Sequence, residues 1–328
     1  MLLTDFETAQ GYNCILGNVS NSMKYYHIDI SEPDIFFWNS PFYSDKYMRK
    51  VFERFYEERG ESTWPEFAAK GLSEGKPVLV SIDQKVIPYV KHDMGDDSIR
   101  HYINIIGIDL EEHKIYVSDS YVPTQIPSTY EGWMDCGKLT DLEIENSWCI
   151  KRDVIRFLRQ EVDKKEIRRF TRYSMVQRLK EFLRGTGQGS MPPYMEKLGN
   201  MQNAVCDQIA RENHEEVFKL LAGMRLNVIN PLIYLLQVLR RNGDEDAGLT
   251  GELNALIKEQ WEKLNMRLVK FAVAHKKLDK DSVFESFHNA ICGEEEVLGH
   301  VIERHDGGET VSVLEKYLSK EDEDLWVK

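Results

Sequence analysis

The spacing of hydrophobic residues changes character along the chain. Apolar residues recur every three or four positions from Ile15 onward, which predicts a helix that begins near Cys14. The same spacing predicts helices over Lys46–Arg59 and Trp64–Glu74, and Gly75 ends the second of them. Three later runs are dense in β-branched residues and predict strands: Pro77–Ile82, His101–Asp109 and Lys114–Asp119.

Strand signals stop at about Val154, where amphipathic helical patterns begin. These patterns cover 154–184, 193–221, 224–241, 250–276 and 281–303. Helices followed by antiparallel strands are typical of an α+β domain. The sequence therefore predicts an α+β domain over residues 1–152 and a C-terminal all-α domain over residues 153–328.

Composition narrows the class of protein. The 328 residues are 42% hydrophobic, which is typical of a globular protein with a substantial core. No run approaches the roughly 20 apolar residues that a membrane span needs, and the first residues do not look like a signal peptide. The net charge of −13 argues against nonspecific binding to nucleic acid or to an anionic membrane. We therefore expect a cytoplasmic protein that binds neither.

The cysteines and histidines give no sign of a metal site. Five cysteines are widely spaced and form no Cys-x-x-Cys pair, which argues against a disulfide framework and against a zinc site. The histidines of the helical region show no His-x-x-x-His spacing. We expect no metal and no cofactor. Four cysteines are interpreted as structural: Cys136, Cys149, Cys206 and Cys292.

Cys14 lies where the first helix is predicted to begin, and Asn13 before it is a suitable N-cap. At a helix N-terminus the macrodipole and the unpaired N–H groups stabilise a thiolate, so we expect a lowered thiol pKa. The same N–H groups can hold the oxyanion that forms when a thiolate attacks a carbonyl group. The alternative is a small apolar residue buried at a helix start, which is common for cysteine.

Two strand residues can complete a catalytic triad with Cys14. His101 opens the second predicted strand and Asp119 closes the third. Adjacent antiparallel strands place these two side chains at the same edge of a sheet. The order Cys, His, Asp is that of papain-like thiol enzymes, in which a helix-borne cysteine faces a sheet-borne histidine. Taken singly, the histidine also fits a surface position and the aspartate a turn.

The same residues carry a family resemblance. The N-terminal region resembles the butirosin-biosynthesis protein H family, whose N-terminal domain is related to C39-like papain-fold peptidases. The matching features occur in the family's order: Cys14 on its helix, Ser31–Glu32, Pro77–Asp83 with Pro88–Tyr89, His101–Asp109 and Ile115–Asp119. The resemblance implies a papain-like domain, with helices packed on an antiparallel sheet. For residues 155–328 it implies no more than a helical region of the kind that such proteins often carry.

The resemblance also implies an activity in natural-product biosynthesis. The family's namesake transfers an aminoacyl group from a carrier-protein thioester to an amine on an aminoglycoside. By resemblance, Cys14 is the nucleophile, His101 the general base and acid, and Asp119 the group that orients His101. The expected partners are an acyl carrier protein, which brings its own phosphopantetheine arm, and a small-molecule amine acceptor.

The chain departs from the family's pattern around the cysteine. Asn13 stands where the family usually has histidine, and Phe37–Pro41 replaces a glycine-rich stretch, so the namesake's acceptor is not carried over. Papain-like enzymes often use an upstream glutamine in the oxyanion hole, usually at a longer spacing, which makes Gln10 the candidate here. Glu32, Asp83 and Tyr89 are candidates for substrate binding, and the alternative for the two acids is that they anchor polar loops.

One segment of the chain, residues 151–184, reverses the overall charge. It holds 12 basic and 5 acidic residues, a net charge of +7 within an acidic chain, and we name it the basic segment. A run of charge is commonly a solvated helical face. The alternative is a dock for an acidic partner such as an acyl carrier protein, with Arg168, Arg169 and Arg172 as the candidate contacts.

The sequence thus favours a thiol-dependent acyltransferase that forms an acyl-Cys14 intermediate. Two alternatives stay open. A papain-like hydrolase, either a peptidase or an amidase, would use the same triad with water as the acceptor. A non-catalytic papain-like binding module would need none of the triad, although all three residues are present.

Overall fold

The structure is a computed structural model that describes residues 1–39, 54–90, 100–122, 128–184, 194–241, 243–307 and 312–319. The chain divides into two compact units. The described residues of the first unit are 1–39, 54–90, 100–122, 128–167 and 312–319, and those of the second unit are 168–184, 194–241 and 243–307. The division falls between Ile167 and Arg168, inside a helix, whereas the sequence prediction set a domain boundary after residue 152.

The first unit is mixed α and β, with a six-stranded antiparallel sheet. Its strands are β1 Tyr56–Glu58, β2 Val78–Asp83, β3 Arg100–Asp109, β4 Lys114–Asp119, β5 Tyr130–Asp135 and β6 Ile144–Ile150. They lie in the order β1-β6-β2-β3-β4-β5, and every neighbouring pair is antiparallel. The three predicted strands are confirmed, and β3 and β4 pair as predicted.

The sequence analysis missed the other three strands. Strand β1 lies inside the range Lys46–Arg59 that was predicted as a helix; for residues 56–58 that prediction is wrong, and residues 46–53 lie outside the described residues. This strand is only three residues long and pairs with β6, so it depends on a partner far away in sequence. Strand β5 is an edge strand with one buried residue out of six, which leaves almost no hydrophobic pattern to detect.

Five helices lie wholly within the described residues of the first unit. They are α1 Cys14–Tyr25, α2 Glu32–Asn39, α3 Trp64–Ser73, α4 Arg152–Glu161 and α12 Val313–Ser319. Helix α3 begins at a capping box, in which the Glu66 carboxylate accepts hydrogen bonds from the backbone N–H and the hydroxyl of Thr63. Its apolar face, with Trp64, Ala68 and Leu72, packs into the main core of the unit.

Alternation along β3 places helices α1 and α3 on opposite faces of the sheet. Ile103 and Ile105 belong to the apolar core that includes α3. Asn104 lies between them and hydrogen-bonds Asn18 and Ser22 of α1. Because neighbouring strand residues point to opposite faces, α1 packs on the face away from α3. Helix α1 contacts β3 and β4, the two strands that carry His101 and Asp119.

Helices make up the secondary structure of the second unit within its described residues. After α5 Lys164–Arg184, which crosses the division, they are α6 Tyr194–Ala210, α7 His214–Met224, α8 Asn230–Arg240, α9 Ala247–Ala255, α10 Lys263–Ala274 and α11 Lys280–His305. Two π-helical segments, Arg225–Ile229 and Leu256–Glu262, connect α7 to α8 and α9 to α10. The predicted continuous helix over 193–221 is wrong, because Glu212 takes a left-handed φ of 52° between α6 and α7.

One stretch of this unit is long and apolar enough to cross a membrane by length and composition alone. It runs over 27 residues, His214–Arg240, and 61% of its most apolar window is buried within the structure. Burial of this kind is what the core helix of a soluble protein shows.

A fully buried carboxyl group lies among the helices of the second unit. Glu294 on α11 is 0% exposed, and the Tyr194 hydroxyl donates to its Oε1 atom at 2.5 Å. Burial raises the pKa of Glu294 to about 8, although the hydrogen bond from Tyr194 opposes the rise. The folded protein therefore keeps this proton at pH values at which the unfolded chain has lost it.

We predict that Glu294 makes the second unit less stable as the pH rises from 5 to 8. Between the unfolded pKa of 4.5 and the folded pKa of about 8, the folded state binds one more proton, so the free energy of unfolding falls with pH. Glu294→Gln removes this titratable proton. From pH 5 to pH 8, the free energy of unfolding of the variant should therefore fall less than that of the wild type, by up to about 4 kcal/mol. Urea unfolding at the two pH values measures the difference. The exposed neighbour Glu295→Gln is the control, and equal slopes for the two variants would contradict the prediction.

Candidate active site

The main chain before helix α1 presents Cys14 at the helix N-terminus. Asn13 is extended, with φ −147° and ψ 135°, and its Oδ1 atom accepts hydrogen bonds from the backbone N–H groups of Ile15 and Leu16 at 2.8 and 3.2 Å. The N–H of Gly17 donates to the carbonyl oxygen of Asn13. The predicted N-cap and helix start are thus confirmed. Among the described residues, none accepts the remaining N–H of this turn, that of Cys14.

His101 and Asp119 meet at the edge of the sheet, as the strand pattern predicted. Their Nε2 and Oδ2 atoms are 2.7 Å apart, and the two residues are 4% and 0% exposed. The half-buried Cys14 lies close enough to His101 to act on the pKa of its ring. Because Asp119 takes Nε2, the nitrogen that remains for the sulfur is Nδ1.

The charges around His101 favour its protonated form. Burial alone would lower its pKa, but the negative charge of Cys14 and hydrogen bonds to Asp119 and Cys14 outweigh burial and raise the pKa to about 10. At neutral pH the ring is therefore an imidazolium between a carboxylate and the cysteine sulfur.

The Asp119 carboxylate is held by three donors. Besides His101, the Tyr89 hydroxyl donates to Oδ2 at 3.2 Å and the backbone N–H of Tyr121 donates to Oδ1 at 3.0 Å. Tyr89 also stacks on Tyr130, with ring centroids 3.7 Å apart, and Tyr130 is paired with Asp119 across strands β4 and β5. Burial and the Asp119 charge raise the pKa of Tyr89 well above its ordinary value, so its hydroxyl stays a donor.

The other residues predicted to bind substrate contact the protein's own main chain. The Glu32 carboxylate accepts the Tyr12 N–H at 3.1 and 3.2 Å, which fixes the loop before Cys14. Asp83 caps a short 3₁₀ turn by accepting the N–H of Lys85. Both acids therefore anchor loops, the alternative that the sequence had left open. Substrate binding by these two residues, and by Tyr89, stays a prediction.

Gln10, the predicted oxyanion donor, directly precedes a residue whose backbone is bonded to the end of β4, beside Asp119. Its side chain is exposed. The next residue, Gly11, donates its N–H to the carbonyl oxygen of Ser120 at 2.7 Å, and Ser120 directly follows Asp119. The backbone at Gln10 is thus tied to the strand end that carries the triad carboxylate, while the role of its amide stays a prediction.

Two glycines let helix α1 approach the end of β4 closely. A Cβ atom added to Gly17 would lie 2.4 Å from the Ser120 Oγ, 2.9 Å from the Ser120 Cβ and 3.2 Å from the Gly11 Cα. A Cβ atom added to Gly11 would meet the Glu32 carboxylate at 2.6 Å. The absence of side chains at both positions therefore sets the distance between Cys14 and the strands that carry its partners.

Sequence reasoning missed the buried polar face of helix α1. Asn18, Asn21 and Ser22 are all at most 3% exposed, and Asn18 hydrogen-bonds the carbonyl oxygen of Cys14. The sequence does contain a signal for them. Cys14, Asn18 and Ser22 follow one another at intervals of four and form a polar stripe on a helix whose interior asparagine is otherwise unfavourable.

Of the three arginines proposed for docking, two are exposed. These are Arg168 and Arg169 on helix α5. Arg172 is half-buried, with its Nε atom out of contact with solvent, so it does not lie on an open surface. Its charge acts on His305, whose pKa is lowered by burial first and by Arg172 in addition. Arg168 and Arg169 are therefore more accessible than Arg172, and docking of an acidic partner stays a prediction.

The remaining cysteines differ from Cys14 in their surroundings. Cys136, Cys149 and Cys206 are buried, and burial raises the pKa of each thiol, that of Cys149 to about 12. Cys292 is exposed, 3.8 Å from the Nε2 atom of His288, and its interpretation as structural stays a prediction. Within the described residues, no group of three or more His, Cys, Asp or Glu side chains is placed to hold a metal ion.

Comparison with known proteins adds no family assignment. No family model matches this chain, and no curated protein matches it. The resemblance to the butirosin-biosynthesis protein H family therefore stays a prediction that rests on the quoted motifs.

We predict that Gly17→Ala destabilises the first unit although alanine favours a helix. The added methyl group must push α1 away from Ser120, and overpacking of this kind costs about 1–3 kcal/mol, more than the helix propensity gain of about 1 kcal/mol. Gly199→Ala is the matched control, because Gly199 is also helical and has no atom within 4 Å of an added Cβ. Urea unfolding should show a loss for the first variant and a gain or no change for the second. A gain for both would contradict the close approach.

We also predict that Cys14 is alkylated before every other cysteine. Cys14 is half-buried at a helix N-terminus beside His101, which can take its proton, whereas Cys136, Cys149 and Cys206 are buried and burial raises the pKa of each of those three thiols. Iodoacetamide treatment followed by peptide mapping gives the order of labelling. Cys292 is the internal control, because it is exposed and also has a histidine neighbour. Labelling of Cys292 before Cys14 would contradict the prediction. His101→Ala should remove the advantage of Cys14 over Cys292.

Proposed function

We propose that this protein is a thiol-dependent acyltransferase of natural-product biosynthesis that works through an acyl-Cys14 intermediate. One observation carries the proposal: a cysteine at a helix N-terminus contacts a buried histidine whose other nitrogen is 2.7 Å from a buried aspartate. Nucleophile, base and orienting carboxylate are the parts that cysteine-based acyl transfer requires.

In the first half-reaction, the Cys14 thiolate attacks the carbonyl carbon of a thioester donor. The oxyanion that forms can bind the N–H of Cys14, the only N–H of the first turn that no described residue accepts, with the Gln10 amide as the second proposed donor. When the tetrahedral intermediate collapses, the carbon–sulfur bond to the donor breaks and the leaving thiolate takes the proton of the His101 imidazolium. The products are a free thiol, an acyl-Cys14 thioester and a neutral His101.

In the second half-reaction, an amine acceptor attacks the acyl-Cys14 carbonyl carbon. Neutral His101 takes a proton from the attacking amine, the bond to Cys14 breaks, and the thiolate–imidazolium pair forms again. Asp119 stabilises the imidazolium and keeps Nδ1 directed at the sulfur, because it holds Nε2. Tyr89 and the Tyr121 N–H keep that carboxylate in place.

The papain-like fold and the carrier-protein donor belong to the same proposal. A helix that presents the cysteine against an antiparallel sheet with the histidine supports a papain-like domain in the first unit, and the helices of the second unit support a separate helical domain. The quoted family motifs support an acyl carrier protein as donor, and the exposed Arg168 and Arg169 supply positive charge for an acidic partner. A cytoplasmic location and an amine acceptor complete the proposal.

We predict that the exposed arginines matter for a carrier-bound donor and not for a small one. Arg168→Glu with Arg169→Glu should slow acylation of Cys14 by a carrier-protein thioester about tenfold or more at low salt, because steering of an acidic partner is lost. Acylation by a small uncharged thioester should stay unchanged. Arg172 is left intact because it is half-buried. Intact-mass detection of acyl-Cys14 measures both rates.

Two controls make the experiment specific. Lys276→Glu with Lys277→Glu reverses two exposed charges elsewhere in the second unit and should leave both rates unchanged. Cys14→Ala should abolish the acyl adduct with either donor. Equal slowing with both donors would remove the docking proposal. If the acyl adduct is lost as fast without an amine as with one, water is the acceptor, and this would indicate a hydrolase. No adduct from either donor would favour a binding module.

A further inference from the structure

We propose that Asn18 is the positioning residue that holds Cys14 against His101 and Asp119, an inference that rests on the proposed nucleophile–base pair. Asn18 does not contact the reacting atoms. It lies one helical turn after Cys14 and is 0% exposed. Its side-chain amide binds main-chain atoms in all three elements that carry the triad.

The contacts of the Asn18 amide use both its donor and its acceptor. Nδ2 donates to the carbonyl oxygen of Cys14 at 2.7 Å and to the carbonyl oxygen of Tyr102 at 2.7 Å. Oδ1 accepts the backbone N–H of Ser120 at 3.3 Å. Two carbonyl acceptors at Nδ2 and an N–H donor at Oδ1 also fix which way the amide is turned.

Each main-chain partner is next to, or part of, a triad residue. Tyr102 directly follows His101 on β3, and Ser120 directly follows Asp119 at the end of β4. One buried group therefore joins the main chain of the nucleophile to the main chain beside its base and beside the orienting carboxylate. A shift of about 1 Å between reacting groups can cost about a hundredfold in rate, so a tie of this kind bears directly on reactivity.

A second buried amide keeps Asn18 in place. Asn104 of β3 is also 0% exposed, and its Nδ2 atom donates to the main-chain oxygen of Asn18 at 2.8 Å. Its Oδ1 atom lies 3.3 Å from the Ser22 hydroxyl, which can donate to it. Helix α1 is thus attached to β3 by hydrogen bonds in both directions, one from each amide.

Asparagine is the residue type that this geometry needs. Two donors on one atom and an acceptor beside it occur on a side chain only in asparagine and glutamine, and glutamine is one methylene longer. Leucine fills a similar volume and offers neither. Serine can still bond the carbonyl oxygen one turn back, at Cys14, but it has no second donor for Tyr102.

The test compares Asn18→Leu with Asn21→Leu. Asn21 lies on the same helix, is 3% exposed and hydrogen-bonds the main chain of Ala9, so its loss should cost similar stability without touching the triad strands. Two readouts report on the pair itself: the pKa of His101 from NMR of labelled histidine, and the rate of Cys14 alkylation at pH 6.5.

We expect Asn18→Leu to lower the His101 pKa by about one unit or more, because the sulfur, whose interaction raises that pKa, moves away from the ring. Alkylation of Cys14 should slow about tenfold or more, whereas Asn21→Leu should change neither readout beyond about twofold. If Asn18→Leu does not fold, Asn18→Ser keeps the bond to Cys14, removes the bond to Tyr102, and should show the same two shifts.

The outcomes separate this inference from the proposed function. Wild-type protein in which His101 titrates at its ordinary value would overturn the nucleophile–base pair and the acyltransferase proposal with it. A raised pKa in the wild type that persists in a folded Asn18 variant, together with unchanged alkylation, would overturn the positioning role alone. Equal effects in the Asn18 and Asn21 variants would assign both residues to general stability and would also overturn it.

Discussion

The burial of the Asp119 carboxylate is the constraint on which the rest of the site depends. A carboxylate with no exposure to water is costly unless a cation and hydrogen-bond donors surround it. His101 supplies the cation, and Tyr89 and the Tyr121 N–H supply the other donors. The charge of Cys14 and hydrogen bonds to Asp119 and Cys14 raise the His101 pKa to about 10 in spite of burial, so the imidazolium form that Asp119 needs is favoured.

A second buried carboxyl group shows how much the partners matter. Glu294 is as buried as Asp119, but its hydrogen-bond donor, the Tyr194 hydroxyl, is neutral. Without a cation, burial dominates and the pKa of Glu294 rises to about 8. Equal burial therefore favours a neutral acid at Glu294 and an ion pair at Asp119. The difference arises because Asp119 has a neighbour that can be protonated, His101, whereas the donor to Glu294 is neutral.

Main-chain anchoring is the common role of the polar side chains around Cys14. Asn13, Asn18 and Glu32 each bond backbone atoms of the helix start or of the strands it faces. Buried amide and carboxylate groups that bond the main chain fix a backbone in one arrangement, since breaking such bonds leaves unsatisfied groups. The position of the sulfur is thus set by side chains that bond the main chain.

The sequence by itself determined the local features: the Asn13 cap, the start of α1 at Cys14, the β3–β4 pair and the strand-edge positions of His101 and Asp119. Caps, periodicity and strand order act over a few residues, so the chain's own pattern is enough to find them. Tertiary structure alone decided that β1 is a strand, that Tyr89 bonds Asp119, and that Glu32 binds the main chain of Tyr12. It also decided that Asn18 joins three elements. Those features depend on which groups, distant in sequence, meet in a water-free interior, and hydrophobic spacing does not predict such contacts.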